Sequence, residues 1–144
     1  MGGTSVTAGF TEADRAFLAT PRMGFLTVPD GTGLPQPRPV WFEVTGDGVV
    51  QLFSESASPK IKRLRRDPRA ALVVANAVDE PARWIAISGS ASVEEDGVAE
   101  LADRLARHYW DLDDPDRAAE YAELMQLEFV RVVIRPERIS RYGG

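Results

Sequence analysis

The fold is decided by residues 37–74, "PRPVWFEVTGDGVVQLFSESASPKIKRLRRDPRAALVV". Two segments rich in β-branched and aromatic residues, 38–45 and 49–55, predict strands. The "TGDG" between them predicts a tight hairpin, so these strands should be antiparallel neighbours. A short helix is predicted next, because Ser58-Pro59 suits an N-cap and a first helical position, and Asp67-Pro68 ends the segment. The stretch therefore predicts a hairpin, a helix of about two turns and a following strand.

The rest of the chain extends this pattern. Thr11 and Asp14 predict the capping box of a first helix. Further helices are predicted from Val98 to Trp110 and from Asp114-Pro115 to about Leu127. Further strands are predicted at 23–28, 69–77, 83–95 and 129–134, the last ended by Pro136. The strands do not alternate regularly with helices, so we expect one α+β domain over residues 1–144. Its sheet should be mainly antiparallel and curled into a small barrel of about six strands, with helices packed outside.

The composition indicates a globular protein with a hydrophobic core. Hydrophobic residues make up 44% of the 144 residues and charged residues 27%, typical of a single domain. No apolar run approaches the roughly 20 residues that cross a membrane, and the N-terminus lacks the features of a secretory signal. We therefore expect a cytoplasmic protein with no membrane partner. The chain has no cysteine and one histidine, so no metal site is predicted.

A cluster of positive charge stands out in an acidic chain. Residues 60–69 hold six of the seventeen Lys and Arg residues, whereas the formal net charge is −5. On the predicted helix, Ile61 and Leu64 share the apolar face, and Lys60 lies at the N-terminus, where unpaired N–H groups and the helix dipole favour an anion. Three serine hydroxyls lie just upstream: those of Ser54, Ser56 and Ser58. This junction predicts a phosphate site. The other cations fit an ordinary solvated helix face: Lys62, Arg65 and Arg66.

The same stretch resembles the cofactor-binding half of the pyridoxamine 5′-phosphate oxidase-like superfamily, the split-barrel flavin and deazaflavin oxidoreductases. The most specific element is a strand, a serine-rich turn and a lysine, followed by Leu64, Asp67-Pro68-Arg69 and Ala71-Leu72. The resemblance covers nearly the whole chain, because "WIAISGSASV", two helices and a closing strand follow in the expected order. It implies a flavin-type cofactor in a groove between the two subunits of a homodimer, with deazaflavin coenzyme F-420 slightly favoured over FMN.

The resemblance also implies roles for individual residues. Ser58 and Lys60 match the Ser-x-Lys that grips the cofactor phosphate, and Arg38 matches the arginine that opens the first cofactor-binding strand. The other positions assigned to the cofactor are Pro39, Val40, Trp41, Phe42, Phe53, Ser54, Pro59 and Trp84. Near the C-terminus, Arg141 and Tyr142 are expected to reach the site of a partner subunit.

Three positions depart from the true pyridoxamine phosphate oxidases. Glu43 stands where they carry a substrate-phosphate lysine, Pro59 replaces an arginine, and Trp84 stands about where they carry a cofactor-contacting glutamine. A carboxylate at position 43 would repel a substrate phosphate, so we do not expect that activity. The resemblance implies instead an oxidoreductase that transfers a hydride to or from a small organic substrate, with Glu43 in the substrate pocket.

Two other functions stay open at this point. A carrier that binds the cofactor without turnover would share every cofactor residue and would lack only an open substrate pocket. A nucleic-acid-binding module would use the basic helix, but such a module needs more than one basic element, and no second one is found. We therefore expect no nucleic-acid partner.

Overall fold

The structure is a computed structural model that describes residues 4–31 and 33–144, and within them the chain forms eight strands and four helices. The strands are β1 (Thr4–Thr7), β2 (Gly24–Thr27), β3 (Arg38–Val40), β4 (Glu43–Val44), β5 (Val50–Glu55), β6 (Arg69–Ala75), β7 (Trp84–Glu94) and β8 (Phe129–Tyr142). The helices are α1 (Glu12–Ala19), α2 (Pro59–Arg66), α3 (Val98–Tyr109) and α4 (Pro115–Leu124).

The strands form one antiparallel sheet in the order β3-β2-β6-β7-β8-β5-β4, with β1 paired to β8. Because side chains alternate across a strand, one row of paired residues faces inward across the sheet. This row is buried and consists of Leu26, Leu72, Ile87 and Ile139. The curled sheet around this core, with helices outside it, confirms the predicted α+β split barrel.

The hairpin predicted at "TGDG" is present. Val44 pairs with Val50, and the Gly48 amide donates a hydrogen bond of 3.0 Å to the Thr45 carbonyl. Gly48 has φ of 85°, a left-handed conformation that glycine adopts without a steric penalty. The predicted apolar face of α2 is also confirmed, since Ile61 and Leu64 are buried in the core.

The predicted end of the last strand at Pro136 was wrong, because β8 continues to Tyr142. A β-bulge in the β7–β8 pair explains the difference, since Pro136 pairs with Gly89 and Arg138 with Ser88, which leaves Glu137 as the extra residue. A proline that cannot donate a ladder hydrogen bond is tolerated at such a bulge. A Cβ atom at Gly89 would lie 2.0 Å from the Arg135 carbonyl oxygen, so only glycine fits there.

Two smaller differences concern element bounds. The single strand expected at 38–45 is divided into β3 and β4, because Trp41 and Phe42 leave the ladder. The fourth helix ends at Leu124, three residues before its predicted end. Strand β1 was not predicted; its four residues are all exposed, so it lacks the alternating pattern of a half-buried strand.

A buried ion pair ties the first elements to the last strand. Asp14 completes the predicted capping box of α1, because its amide donates to the Thr11 hydroxyl and its carboxylate accepts from the Thr11 amide. The same carboxylate accepts hydrogen bonds of 2.8 and 2.7 Å from Arg141, which also donates to Ser5 and Thr7. Arg141 is therefore an internal residue, which corrects the expectation that it reaches a partner's site.

Across residues 4–31 and 33–144, the longest helices are too short and too polar to cross a lipid bilayer. The same residues hold no group of three or more His, Cys, Asp or Glu side chains arranged to bind a metal ion.

Candidate cofactor groove

Two neighbouring cavities meet where β5 leads into α2. The first has a volume of about 430 Å³ and is lined by Met23, Pro39, Val40, Trp41, Phe53, Ser54, Glu55, Ser58, Lys60, Trp110 and Leu124. The second has a volume of about 400 Å³ and is lined by Leu26, Val28, Gln36, Arg38, Pro39, Ser58, Pro59, Lys60 and Arg63. Because they share Pro39, Ser58 and Lys60, we describe them as one groove with an aromatic end and a basic end.

The centre of the groove is the N-terminus of α2. Ser58 is the N-cap residue, but its hydroxyl makes no capping hydrogen bond. Its Oγ atom is buried and has no hydrogen-bond partner among the described residues. A buried hydroxyl without a partner costs free energy, so this atom is arranged for a partner that the protein itself does not supply. An anion at the helix N-terminus would supply it.

Lys60 lies next to this hydroxyl and is half-buried. Burial lowers the pKa of Lys60 below its ordinary value, and the positive charge of Arg38 lowers it further. No carboxylate forms an ion pair with Lys60 in the part of the chain that the structure describes, and Arg38 is bound only by the Gln36 side chain and the Pro37 carbonyl. The groove therefore holds two cations without a counter-ion, and a bound phosphate would stabilise both.

The aromatic end is built around Trp41, in the break between β3 and β4. Its indole stacks on the Tyr109 ring at 5.3 Å and 11°, and it meets Trp110 edge-on at 4.7 Å. Phe53 adds an edge contact at 6.2 Å. These distances lie in the range in which aromatic pairs attract each other. Trp41 is therefore held in one orientation at the groove.

Tyr109 fixes the backbone of this break. Its hydroxyl donates to the Arg22 carbonyl at 2.7 Å and accepts from the Phe42 amide at 3.3 Å. Burial raises the pKa of Tyr109, although its backbone hydrogen bonds act in the opposite direction. Sequence reasoning did not assign a role to Tyr109, Trp110 or Leu124. The sequence feature that could have indicated Tyr109 and Trp110 is that these two aromatic residues are adjacent at the end of α3. Their contact with Trp41, however, depends on tertiary structure.

Glu43 lies outside the lining of both ends of the groove. Its carboxylate accepts hydrogen bonds from the Arg104 guanidinium at 2.8 and 3.1 Å and from the side-chain amide of Gln51 at 2.6 Å. Burial opposes ionisation of Glu43, but these hydrogen bonds outweigh it and hold its pKa below the ordinary value. Its contact with a substrate stays a prediction, and its pairing with Arg104 leaves little net charge to repel a substrate phosphate.

The structure brings most of the predicted cofactor residues together and leaves two out. Nine line the groove: Arg38, Pro39, Val40, Trp41, Phe53, Ser54, Ser58, Pro59 and Lys60. The Phe42 side chain is 1% exposed and belongs to the core. Trp84 lies on the outer face of the sheet, stacked on Tyr142 at 6.3 Å. Contact of any of these residues with a cofactor stays a prediction.

This fold and groove define a split-barrel protein with a groove at the N-terminus of α2, where Lys60 and Arg38 face each other without a carboxylate partner among the described residues. The chain belongs to the pyridoxamine 5′-phosphate oxidase family, whose model matches residues 10–141. No curated protein sequence matches the chain significantly.

Solved structures share the fold. A conserved hypothetical protein from Mycobacterium tuberculosis is 25% identical, with 90% of this chain and 82% of that chain covered and a TM-score of 0.65. An F420 reductase is 22% identical, with 90% and 98% covered and a TM-score of 0.70. A FAD-binding protein from Mesorhizobium loti is 17% identical, with 98% and 99% covered and a TM-score of 0.60. The last two likenesses establish the fold alone.

Proposed function

We propose that the protein is an oxidoreductase that binds a flavin-type cofactor, deazaflavin coenzyme F-420 or FMN, and transfers a hydride to or from a small organic substrate. The observation that carries this proposal lies at the N-terminus of α2, where, among the described residues, the buried Ser58 hydroxyl has no hydrogen-bond partner and the half-buried Lys60 has no carboxylate partner. Family membership supports it, and the chain resembles an F420 reductase and a FAD-binding protein in fold.

The residues present fit such a cofactor. Ser58, Lys60 and Arg38 would hold the phosphate, and the aromatic end of the groove at Trp41 and Phe53 would receive the ring. Hydride transfer is the cofactor's own chemistry. The protein's part is to bind the phosphate, orient the ring against the groove wall and exclude water. No catalytic acid or base is assigned.

F-420 is slightly preferred because its tail carries a phosphodiester and several carboxylates. The basic end of the groove continues from Lys60 to Arg63, which forms an ion pair with Asp30 at 3.3 Å. A carboxylate of the tail would compete with Asp30 for Arg63 at this position. FMN has no such extension and would leave this part of the groove free.

A carrier is less well supported. The groove extends beyond Lys60 to Trp110 and Leu124, to which no cofactor contact is assigned, and this supports the open substrate pocket that a carrier would lack.

We also propose that the protein is a homodimer. The outer face of the sheet carries a continuous row of cross-strand partners, namely Pro39, Phe25, Val73, Ala86, Ser140 and Val6. Phe25 is 44% exposed, Val73 42% and Val6 52%. An apolar row of this kind is typical of an interface, and a second copy would bury it symmetrically.

Trp84 lies on this face and would meet a cofactor only across the interface. Phe25→Asp should give a monomer by light scattering, whereas a wild-type monomer would contradict the dimer.

The experiment that tests the function is a titration of the purified protein with F-420, FMN and FAD, followed by fluorescence. We expect at least one of them to bind with Kd below roughly 100 μM, about −5.5 kcal/mol. If none binds in that range, the oxidoreductase proposal fails. If one cofactor binds but its reduced form, bound to the protein, reduces none of a panel of hydride acceptors, the alternative function of a cofactor carrier is favoured.

A further inference from the structure

The ladder between β2 and β3 has a register that can be extended beyond its last pair. Gly24 pairs with Val40, and Phe25 pairs with Pro39. Because Pro39 has no N–H group, its pair with Phe25 suits the type that exchanges no hydrogen bonds. The two types alternate along an antiparallel ladder, so the pair of Gly24 and Val40 is the hydrogen-bonded type. The next hydrogen-bonded pair would lie two residues further along each strand.

At that next position the hydroxyl of Tyr109 takes the place of the ladder hydrogen bond. The two residues there are Arg22 and Phe42, and a continued ladder would join the Phe42 amide directly to the Arg22 carbonyl. Instead, the amide donates to the Tyr109 Oη atom at 3.3 Å, and the same hydroxyl donates to the carbonyl at 2.7 Å. The Tyr109 oxygen therefore separates the two chain segments where Phe42 leaves the ladder.

This point is the seam of the barrel. Strands β3 and β4 are the two end strands of the sheet, and the chain passes from one to the other through Trp41 and Phe42. The anchors on both sides are fixed. The Arg22 side chain pairs with Glu80 and lies 4.0 Å from the centre of the Phe17 ring. Helix α3, which ends at Tyr109, is buried along one face.

The hydroxyl of Tyr109 also acts on the groove. Each residue that it binds is next in sequence to a residue of the groove lining, since Met23 follows Arg22 and Trp41 precedes Phe42. The Tyr109 ring stacks on the Trp41 indole at 5.3 Å. One side chain therefore fixes both the separation of the two segments at the aromatic end and the orientation of Trp41.

We propose that Tyr109 is a positioning residue, whose hydroxyl holds β2 and β3 apart at the seam and so orders the aromatic end of the groove before the cofactor binds. This inference rests on the proposed function for the identity of the ligand. It goes beyond that function by assigning the order of the site to a residue outside the groove lining. A site that is ordered in advance loses less conformational freedom on binding, so its disorder should weaken affinity.

The test is Tyr109→Phe, which keeps the ring stacked on Trp41 and removes the hydroxyl. We expect the cofactor found by titration to bind about tenfold more weakly, the scale of ordering one or two side chains. Inorganic phosphate, measured as a competitor of that cofactor, should keep its inhibition constant, because Ser58 and Lys60 are unchanged. A merely structural role would lower the melting temperature and leave the cofactor affinity of the folded protein unchanged.

Tyr121→Phe is the matched control, because it removes the same atom from a half-buried tyrosine of α4 that does not line the groove. It should leave both affinities unchanged, and circular dichroism checks that both variants are folded. Hydrogen exchange of the Phe42 amide, followed by NMR on the ligand-free protein, gives a readout without cofactor. This exchange should be slow in the wild type and about tenfold or more faster in Tyr109→Phe, which removes the acceptor of that amide.

The outcomes separate this inference from the proposed function. An unchanged cofactor affinity in Tyr109→Phe, an equal loss for phosphate, or an equal loss in Tyr121→Phe overturns the positioning role. Fast exchange of the Phe42 amide in the wild type also overturns it, and this measurement needs no variant to fold. If no cofactor binds the wild type but exchange at Phe42 depends on the Tyr109 hydroxyl, the proposed function fails while the role of Tyr109 at the seam stands.

Discussion

Substitution of Ser58 by alanine should have opposite effects on stability and on ligand binding. An N-cap serine normally stabilises its helix by a side-chain hydrogen bond, and its loss costs about 0.5–2 kcal/mol. Ser58 makes no such bond, and its buried Oγ has no partner within residues 4–31 and 33–144. Removing an unsatisfied buried polar atom recovers part of its desolvation penalty, which is about 1–3 kcal/mol.

We therefore expect Ser58→Ala to stabilise the ligand-free protein by about 1 kcal/mol, the lower end of that range because the residue as a whole is only partly buried. For a domain of this size, Tm should rise by about 2–4 °C. Binding should change in the other direction. Loss of one hydrogen bond to a charged phosphate costs about 1.5–3 kcal/mol, so the cofactor Kd should rise about 10- to 150-fold.

Thr11→Ala is the matched control, because Thr11 is an N-cap whose hydroxyl does accept a hydrogen bond, from the Asp14 amide at 3.0 Å. It should destabilise the protein by about 1 kcal/mol and leave cofactor affinity unchanged. Thermal and urea denaturation give the stability, and fluorescence titration gives the Kd. If Ser58→Ala destabilises the protein as much as Thr11→Ala does, or leaves the Kd unchanged, the assignment of Ser58 to the phosphate is refuted.

Three further predictions follow from individual contacts. Lys60→Ala should weaken cofactor binding by about 1.5–3 kcal/mol, whereas Arg66→Ala, on the exposed face of α2, should cost well under 1 kcal/mol; equal losses by titration would contradict the phosphate site. Asp14→Asn should destabilise the protein by about 3–5 kcal/mol in urea, because it leaves Arg141 buried without its partner; a loss below 1 kcal/mol would show that the pair is not needed. Because the pKa of Glu43 is lowered on folding from its ordinary 4.5, its contribution to stability is present above pH 4.5 and is lost as the pH falls through the folded value. The stability difference between wild type and Glu43→Gln should therefore shrink in acid, and a difference independent of pH would contradict the ion pair with Arg104.

Local signals were sufficient to predict the helix at the proposed phosphate site. The cap, the proline and the spacing of Ile61 and Leu64 determine α2 within a few residues, so its position and buried face could be predicted from sequence. The "TGDG" hairpin was predictable for the same reason, since the turn residues fix the pairing of their flanking strands.

The features that could not be predicted depend on distant parts of the chain. Pro136 was read as the end of a strand, because the bulge that accommodates it requires Gly89 on the partner strand, 47 positions away. Trp41 and Phe53 were predicted, but the contribution of Tyr109 and Trp110 to the aromatic end was missed, because their contacts with Trp41 form only when α3 packs beside the break between β3 and β4. Glu43 was assigned to the substrate by family position alone, and its ion pair with Arg104 depends on the packing of α3.

Strand β8 pairs with β7 from Arg131 to Tyr142, with β5 from Phe129 to Ile134 and with β1 from Ile139 to Tyr142. No direct pairing joins β5 to β7 among the described residues, so the two halves of the barrel become one sheet only when β8 is in place. These contacts span long separations in sequence, and folding rates fall as such non-local contacts increase. We therefore expect folding in milliseconds to seconds. The groove, which is lined by residues of both β3 and β5, should form only when β8 docks.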